Sequence, residues 1–261
     1  KVLCAIVHGL YEPWISIAKL GQENTWLKHP RPLNMSVLHF HGIPVNKFFQ
    51  KLDQIHEKLR WSNKISSTIL KLVDQILGIP FRSKVPKYQQ SGRFELKDQS
   101  IEILVPDLYV TMKWKDLGIY RYFIEQTDAD YLFCTTSSSY VIASNLIKYI
   151  ENLPLRNVYA GGLPYENAGF ISGSNRIFSR DVIELLLENA SNWNCGVIED
   201  KEIGNILNRE GIMPRYRALN NIDDPGQIVG IDRENEYHFR LKSYIDGRRN
   251  DVNLMHALDK L

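Results

Sequence analysis

Short apolar runs, each broken off by a polar cluster, set the rhythm of this chain. Val2 to Val7 is continuous, as befits a strand buried on both faces, and His8-Gly9 ends it. Ser36 to Phe40 reads as a second strand finished by His41-Gly42, and Phe94 to Leu104 alternates like a strand before Pro106-Asp107. The rest is organised around Thr127 to Tyr140. Within it Tyr131 to Cys134 is a buried central strand, and the hydroxyl residues Thr135 to Ser139 follow with no apolar residue between them. Val158 to Ala160, closed by Gly161-Gly162, and Tyr237 to Leu241 are the remaining strands, with Phe170 to Ser174 supplying F-I-S-G-S.

Helical spacing fills the intervals. Pro13 to Trp26 reads as a helix and turn. From Asn46 to Leu77 apolar residues recur at helical spacing until Gly78 and Pro80, which predicts one long helix or two, an insertion over about 46–78 packed on the body. Its face could also meet a partner. Tyr109 to Gln126, Ile142 to Ile150, Asp181 to Asn189 with Ser179 as its cap, and Glu199 to Arg209 ended by Gly211 complete the set. Strands alternating with helices predict an α/β fold with a mostly parallel, Rossmann-like sheet in a single domain.

Composition narrows the partners. Across 261 residues Lys plus Arg number 32 against 30 Asp plus Glu, so the net charge of +2 gives no general attraction to nucleic acid, and any anion site must be local. Cys4, Cys134 and Cys195 are an odd number, two of them inside apolar runs, which points to a reducing compartment. A cytoplasmic location is expected, with contact at the inner face of a membrane.

Candidate chemistry gathers just after the strands: His8-Gly9, Asp107, Thr135 to Ser139, Gly161-Gly162, Ser172 to Ser174 and Glu199-Asp200. In an open α/β sheet ligands bind beyond the carboxyl ends of strands, so these clusters would line one crevice. For Thr135 to Ser139 the competing reading is an ordinary loop that caps the helix starting near Val141. One carboxylate of Glu199-Asp200 could be a general base, or both could serve the helix dipole. His39 and His41 share a strand face and could bind a metal, though no third ligand lies nearby in sequence.

Four blocks between Asp107 and Pro214 carry a likeness. D-L-Y-V-T-M-K-W-K at Asp107 to Lys115 is similar to D-x-Y-x-N-L-T-x-K, with Thr111 in place of Asn. D-Y-L-F-C-T-T-S-S-S-Y-V at Asp130 to Val141 is similar to a strand followed by D-D-D-x-(F/Y)-V. Y-A-G-G at Tyr159 to Gly162 with F-I-S-G-S-N-R-I-F-S at Phe170 to Ser179 resembles Y-x-G and S-G-x-G-x-x-L-S. E-D-K-E-I-G at Glu199 to Gly204 with G-I-M-P resembles E-D-V-x-x-G and the following G-I. In this order the blocks resemble the GT-A glycosyltransferases of the Fringe and β-1,3-galactosyl/N-acetylglucosaminyltransferase type.

The resemblance implies a GT-A fold and an inverting transfer of a sugar, galactose or N-acetylglucosamine, from a UDP-sugar to a hydroxyl of a glycan or glycolipid. Asp200 would take the acceptor proton, with Glu199 its alternate. His8, Asp107, Lys115, Thr136, Ser137, Ser138, Ser139, Ser172, Gly173 and Ser174 would hold the donor, with Gly161 and Gly162 toward the acceptor. The family's D-x-D carboxylates hold a divalent cation, Mg²⁺ or Mn²⁺, but serines stand at those positions and hydroxyls are poor ligands for either. Asp128 to Asp130 fits the same pattern yet precedes the strand, which places it at the sheet's opposite end. No metal and no cofactor is therefore expected, and Arg240, Lys242, Arg248 and Arg249 become the candidates for offsetting diphosphate charge, with Lys115 a second source and His238 matching a C-terminal histidine. The competing reading is a glycosyltransferase-like domain without activity that binds a glycan or a protein.

Overall fold

A computed structural model describes residues 1–60, 93–98, 100–193 and 197–261, with 56–60 in backbone only. In chain order the elements are β1 (Val2–Val7), β2 (Met35–Ile43), α1 (Lys47–Arg60), β3 (Phe94–Lys97), β4 (Ser100–Pro106), α2 (Met112–Gln126), β5 (Tyr131–Thr136), β6 (Ser139–Val141) and α3 (Ala143–Ile150). Then follow β7 (Tyr159–Leu163), β8 (Asn175–Ser179), α4 (Arg180–Glu188), α5 (Glu199–Arg209), β9 (Arg215–Ala218), β10 (Asn220–Ile222), β11 (His238–Leu241), β12 (Tyr244–Ile245), β13 (Arg248–Arg249) and α6 (Asp251–Asp259).

The main sheet has eight strands in the order β3-β4-β2-β1-β5-β8-β7-β9, in which β3 and β8 run against the other six. β1 lies at the centre, parallel to β2 and β5. Its unbroken apolar run has a direct cause. Leu3, Ala5 and Val7 face one core with residues of α2, α4 and α5, while Val2, Cys4 and Ile6 face another with residues of α3 and α6. β5 divides in the same way, Leu132 and Cys134 to one side, Tyr131 and Phe133 to the other. Each large side chain buried this way contributes roughly 1.5–3 kcal/mol, so both faces drive the sheet's closure from water. The architecture is a mostly parallel α/β sheet flanked by helices, as the pattern predicts.

Several boundaries differ. His41-Gly42 and Gly161-Gly162 do not end strands but lie inside β2 and β7. At Gly161 (φ 143°) β8 comes so close that a Cβ would run into the Asn175 carbonyl oxygen, so a glycine is needed for strand packing. The run Asn175 to Ser179, part of the Phe170 to Ser179 block but not among the expected strands, is a strand buried along its whole length. His238–Leu241 belongs to a second sheet, β10-β11-β6, laid over the far core. Ser179 stands at the N-cap of α4 but its hydroxyl does not cap it; the hydroxyl donates to Asp181 (2.6 Å) and accepts from Val158 N (2.9 Å).

Of the insertion, Lys47–Arg60 is described and the remainder to residue 78 lies outside the described residues. α1 does dock on the body, through the buried carboxylate of Asp53. Asp53 accepts from the backbone N–H groups of Tyr109 (2.5 Å) and Val110 (3.1 Å), whereas Phe48 and Ile55 of the apolar stripe stay exposed. Cys4 and Cys134 are buried free thiols, and burial raises both pKa values. No helix among the described residues is long and apolar enough to cross a membrane.

Candidate functional site

Because β1, β2, β4 and β5 are parallel, their carboxyl ends form one edge, and antiparallel β8 brings its amino end to the same edge, with Asn175 opposite Thr135. All six polar clusters reach this edge. Ser137 N donates to Val7 O (3.3 Å), Leu10 N to the Asp107 carboxylate (2.5 Å), Ser172 N to Gly162 O (2.8 Å), and Gly173 N to Asp200 Oδ2 (2.7 Å). Asp128 lies at the opposite edge, paired with the Lys1 side chain, as its position before β5 predicts.

The serines form a tight turn between β5 and β6, not a loop capping the next helix, which starts at Ala143 without a side-chain cap. Gln22 Nε2 donates to the carbonyls of Thr136 and Ser139 (3.1 Å each), and Trp26 Nε1 donates to Ser139 O (3.1 Å). Leu241 N holds Ser138 O at 2.7 Å. Both rims of the turn are thereby fixed. Ser138 Oγ accepts from Arg249 Nη2 (2.7 Å), and Ser139 Oγ lies 3.0 Å from His238 Nε2. His238 is fully buried, which pushes its pKa down to about 3 and leaves the ring neutral. The divalent cation implied by the resemblance does not fit this donor set: it offers hydroxyls and one neutral imidazole, and a guanidinium already donates to the middle serine.

The cations of the tail separate by structure. Arg249 is spent on Asp251, donating from Nε (2.8 Å) and Nη2, and its guanidinium also lies over Trp14 and Tyr244. Arg248 and Lys242 are exposed on the surface. Lys115 is only 3% exposed and pairs with Asp107 at 3.0 Å, so its charge is already offset by that carboxylate, which it clamps. Asp107 also accepts from Gly42 N (3.3 Å), so this pair ties the ends of β2 and β4 to the loop after β1. Arg240 differs from them all. Its guanidinium is partly buried and makes no hydrogen bond or ion pair among the described residues, yet it lies within electrostatic range of Asp200, Arg249, Tyr109 and Asp251. Burial, then Arg249, hold its pKa below the usual guanidinium value, against the pull of Asp200.

Asp200 stands in the first turn of α5, where the helix N-terminus favours a negative charge. Besides Gly173 N it accepts from Arg176 Nη1 at 3.2 Å. Arg176 forks onto Asp116 through Nη1 (2.9 Å) and Nη2 (3.0 Å). Burial pushes the Asp200 pKa above the ordinary carboxylate value, against the opposing pull of Arg176 and the Gly173 N–H. Glu199 has neither donor; burial and the neighbouring Asp200 charge drive its pKa up. Neither Arg176 nor Asp116 stood out in the sequence. An arginine inside an otherwise buried pattern, N-R-I-F-S, was the one signal available.

On the donor side, Ser172 Oγ and Ser174 Oγ lie 3.1 Å apart, both buried, and Thr135 Oγ1 donates to Ser174 O at 2.8 Å. Their hydroxyls serve the turn that presents Gly173. At the other end of the edge His8 meets His39 and His41, with ring centroids 5.2 and 6.0 Å away, a neighbour that sequence spacing had not shown. Burial lowers the pKa of His8, and that of His39 to about 4. His41 is engaged at both nitrogens, Nδ1 lying 3.0 Å from Gly42 O and Nε2 3.0 Å from Ser100 Oγ, and among the described residues no set of three His, Cys, Asp or Glu side chains is arranged to hold a metal. Against known proteins, no protein-family model matches the chain and no curated protein matches it.

Proposed function

We propose that this chain moves a sugar from a UDP-sugar to a hydroxyl of a glycan or glycolipid, by a single inverting displacement and without a divalent cation. One observation carries the reading: an unpartnered guanidinium, Arg240, and a carboxylate of raised basicity, Asp200, lie within electrostatic range of each other beside a pinned serine turn. A mostly parallel sheet flanked by helices, with the polar clusters on one edge, supports a GT-A fold. Fold alone does not carry function, so the weight rests on the site.

In the proposed step the acceptor O–H gives its proton to Asp200 as its oxygen bonds to the anomeric carbon. The bond from that carbon to the diphosphate breaks, and UDP leaves with the added charge offset by Arg240. Asp200 is favoured over Glu199 because Arg176 and the Gly173 N–H donate directly to its ionised form, whereas Glu199 feels Arg176 only at a distance and takes no hydrogen bond from Gly173 N. His8, with Asp107 and Lys115 as clamp, would wall the donor end of the crevice.

Gly173→Ala tests the placement of Asp200. A Cβ there would lie 2.5 Å from Oδ1 and 2.9 Å from Oδ2, so the carboxylate must swing out. Displacements on this scale cost on the order of 10²-fold in rate. Turnover is expected to fall by about that factor with only a modest fall in melting temperature, because the displaced carboxylate gives up its bonds to Gly173 N and Arg176 Nη1 at a partly exposed site.

Incubating the chain with a panel of UDP-sugars in EDTA, and following UDP release, tests the function. Slow release from one sugar, accelerated by hydroxyl acceptors, is the expected result. Binding of UDP with no release from any sugar would favour the glycan- or protein-binding module instead.

A further inference from the structure

We propose that Arg176 and Asp116 form a buried couple that positions Asp200 and balances its charge, Arg176 favouring the carboxylate and Asp116 opposing it. The inference rests on the reading of Asp200 as the base. Three elements meet here: Arg176 on β8, Asp116 on α2, and Asp200 in the first turn of α5. The side chains of Arg176 and Asp116 are 3% and 0% exposed, and that of Asp200 is 18% exposed.

The geometry is unequal in an informative way. Asp116 takes the whole fork of the guanidinium, at 2.9 and 3.0 Å, and already neutralises it; that contact alone would account for a buried arginine. Nη1 nevertheless reaches a second carboxylate at 3.2 Å, on the one member of the set that opens to the crevice. Nε is buried without a hydrogen-bond partner, so the guanidinium is oriented by these two acids alone among the described residues. Asp116 therefore fixes the plane of Arg176, and Arg176 fixes Oδ1 of Asp200 while Gly173 N fixes Oδ2.

Among the described residues, the groups facing Asp200 are Glu199 on its own helix, Arg176, Asp116, Arg240 on β11, and the buried, neutral Tyr159 and Cys134. Arg176 holds the Asp200 pKa down and Asp116 pushes it up. Removing one or the other must move Asp200 in opposite directions. A purely structural couple predicts no such opposition, since either loss would loosen the same joint.

The test uses the full chain labelled with ¹³C at aspartate carboxyls, with Asp200 assigned through Asp200→Asn, and follows its titration by NMR in Arg176→Gln, Arg176→Lys and Asp116→Asn. Asp200 is expected to titrate at higher pH in Arg176→Gln, at lower pH in Asp116→Asn, and close to the parent in Arg176→Lys, which keeps the charge. Because the base must be ionised, the acid limb of the pH profile of UDP release shifts the same way in each. Should Arg176→Gln not fold, the isosteric Asp116→Asn decides the sign by itself. An Asp200 midpoint that stays put in Asp116→Asn, or that rises in both variants, overturns the inference. The titration needs no activity, so a parent chain that releases no UDP would sink the function and leave this result standing.

Discussion

Asp200→Asn is expected to lower sugar transfer by about 10²–10⁴-fold, the range a positioned general base supplies. The substitution keeps the shape and removes the proton acceptor. It also leaves a small structural signature. Asp200 accepts from both Gly173 N and Arg176 Nη1, and an amide offers one oxygen where two donors converge, so one donor must turn to water. That loss costs about 1–3 kcal/mol if the donor stays dry and less here, where the side chain is 18% exposed. A modest fall in melting temperature, unchanged UDP affinity and a collapse of turnover at saturating donor make up the full expectation. Glu199→Gln should leave most of the rate. Full turnover in Asp200→Asn would remove Asp200 from the mechanism.

Arg240→Met is expected to weaken UDP binding roughly 10–100-fold, from the loss of about 1.5–3 kcal/mol of charge-assisted hydrogen bonding to the diphosphate. Uridine, which lacks the phosphates, should bind equally to both forms. Since Arg240 holds no ion pair among the described residues, its removal strands no partner, and relief of a partly buried charge should leave stability level or higher. Arg249→Met should behave in the opposite way. It abandons the fully buried Asp251, and breaking a buried pair costs on the order of 3–5 kcal/mol. Calorimetric titration with UDP and thermal melts of both variants separate a ligand-binding cation from a structural one. Equal loss of UDP affinity and of stability in both variants would erase the distinction.

Much of the frame was legible because it depends on local pattern. The unbroken Val2 to Val7 run, short and ended by His8-Gly9, suits a strand covered on both sides, and the two cores divide its side chains in that way. That polar clusters after strands share an edge follows from parallel strands, whatever the loops between them do. β8 escaped notice because a five-residue strand buried on both faces shows no alternation, and it opens on Asn and Arg. Arg176 hid for the same reason: its partner Asp116 is 60 positions away, and only the fold brings them together. Arg240 and Arg249 look alike in the sequence, and what separates them is Asp251, two residues beyond Arg249. A local pairing of that kind was open to sequence reasoning. The Lys115 pair with Asp107, eight residues apart, was harder, because its meaning depends on burial that spacing does not reveal.

The most direct measurement is a calorimetric titration of UDP into the unsubstituted chain in excess EDTA, repeated with Mn²⁺ in place of the chelator. One site per chain, with affinity unchanged by the metal and weakened by added salt, is the predicted result. UDP binding that appears only with Mn²⁺, or no binding under either condition, would contradict a cation-free diphosphate site built on Arg240 and the serine turn.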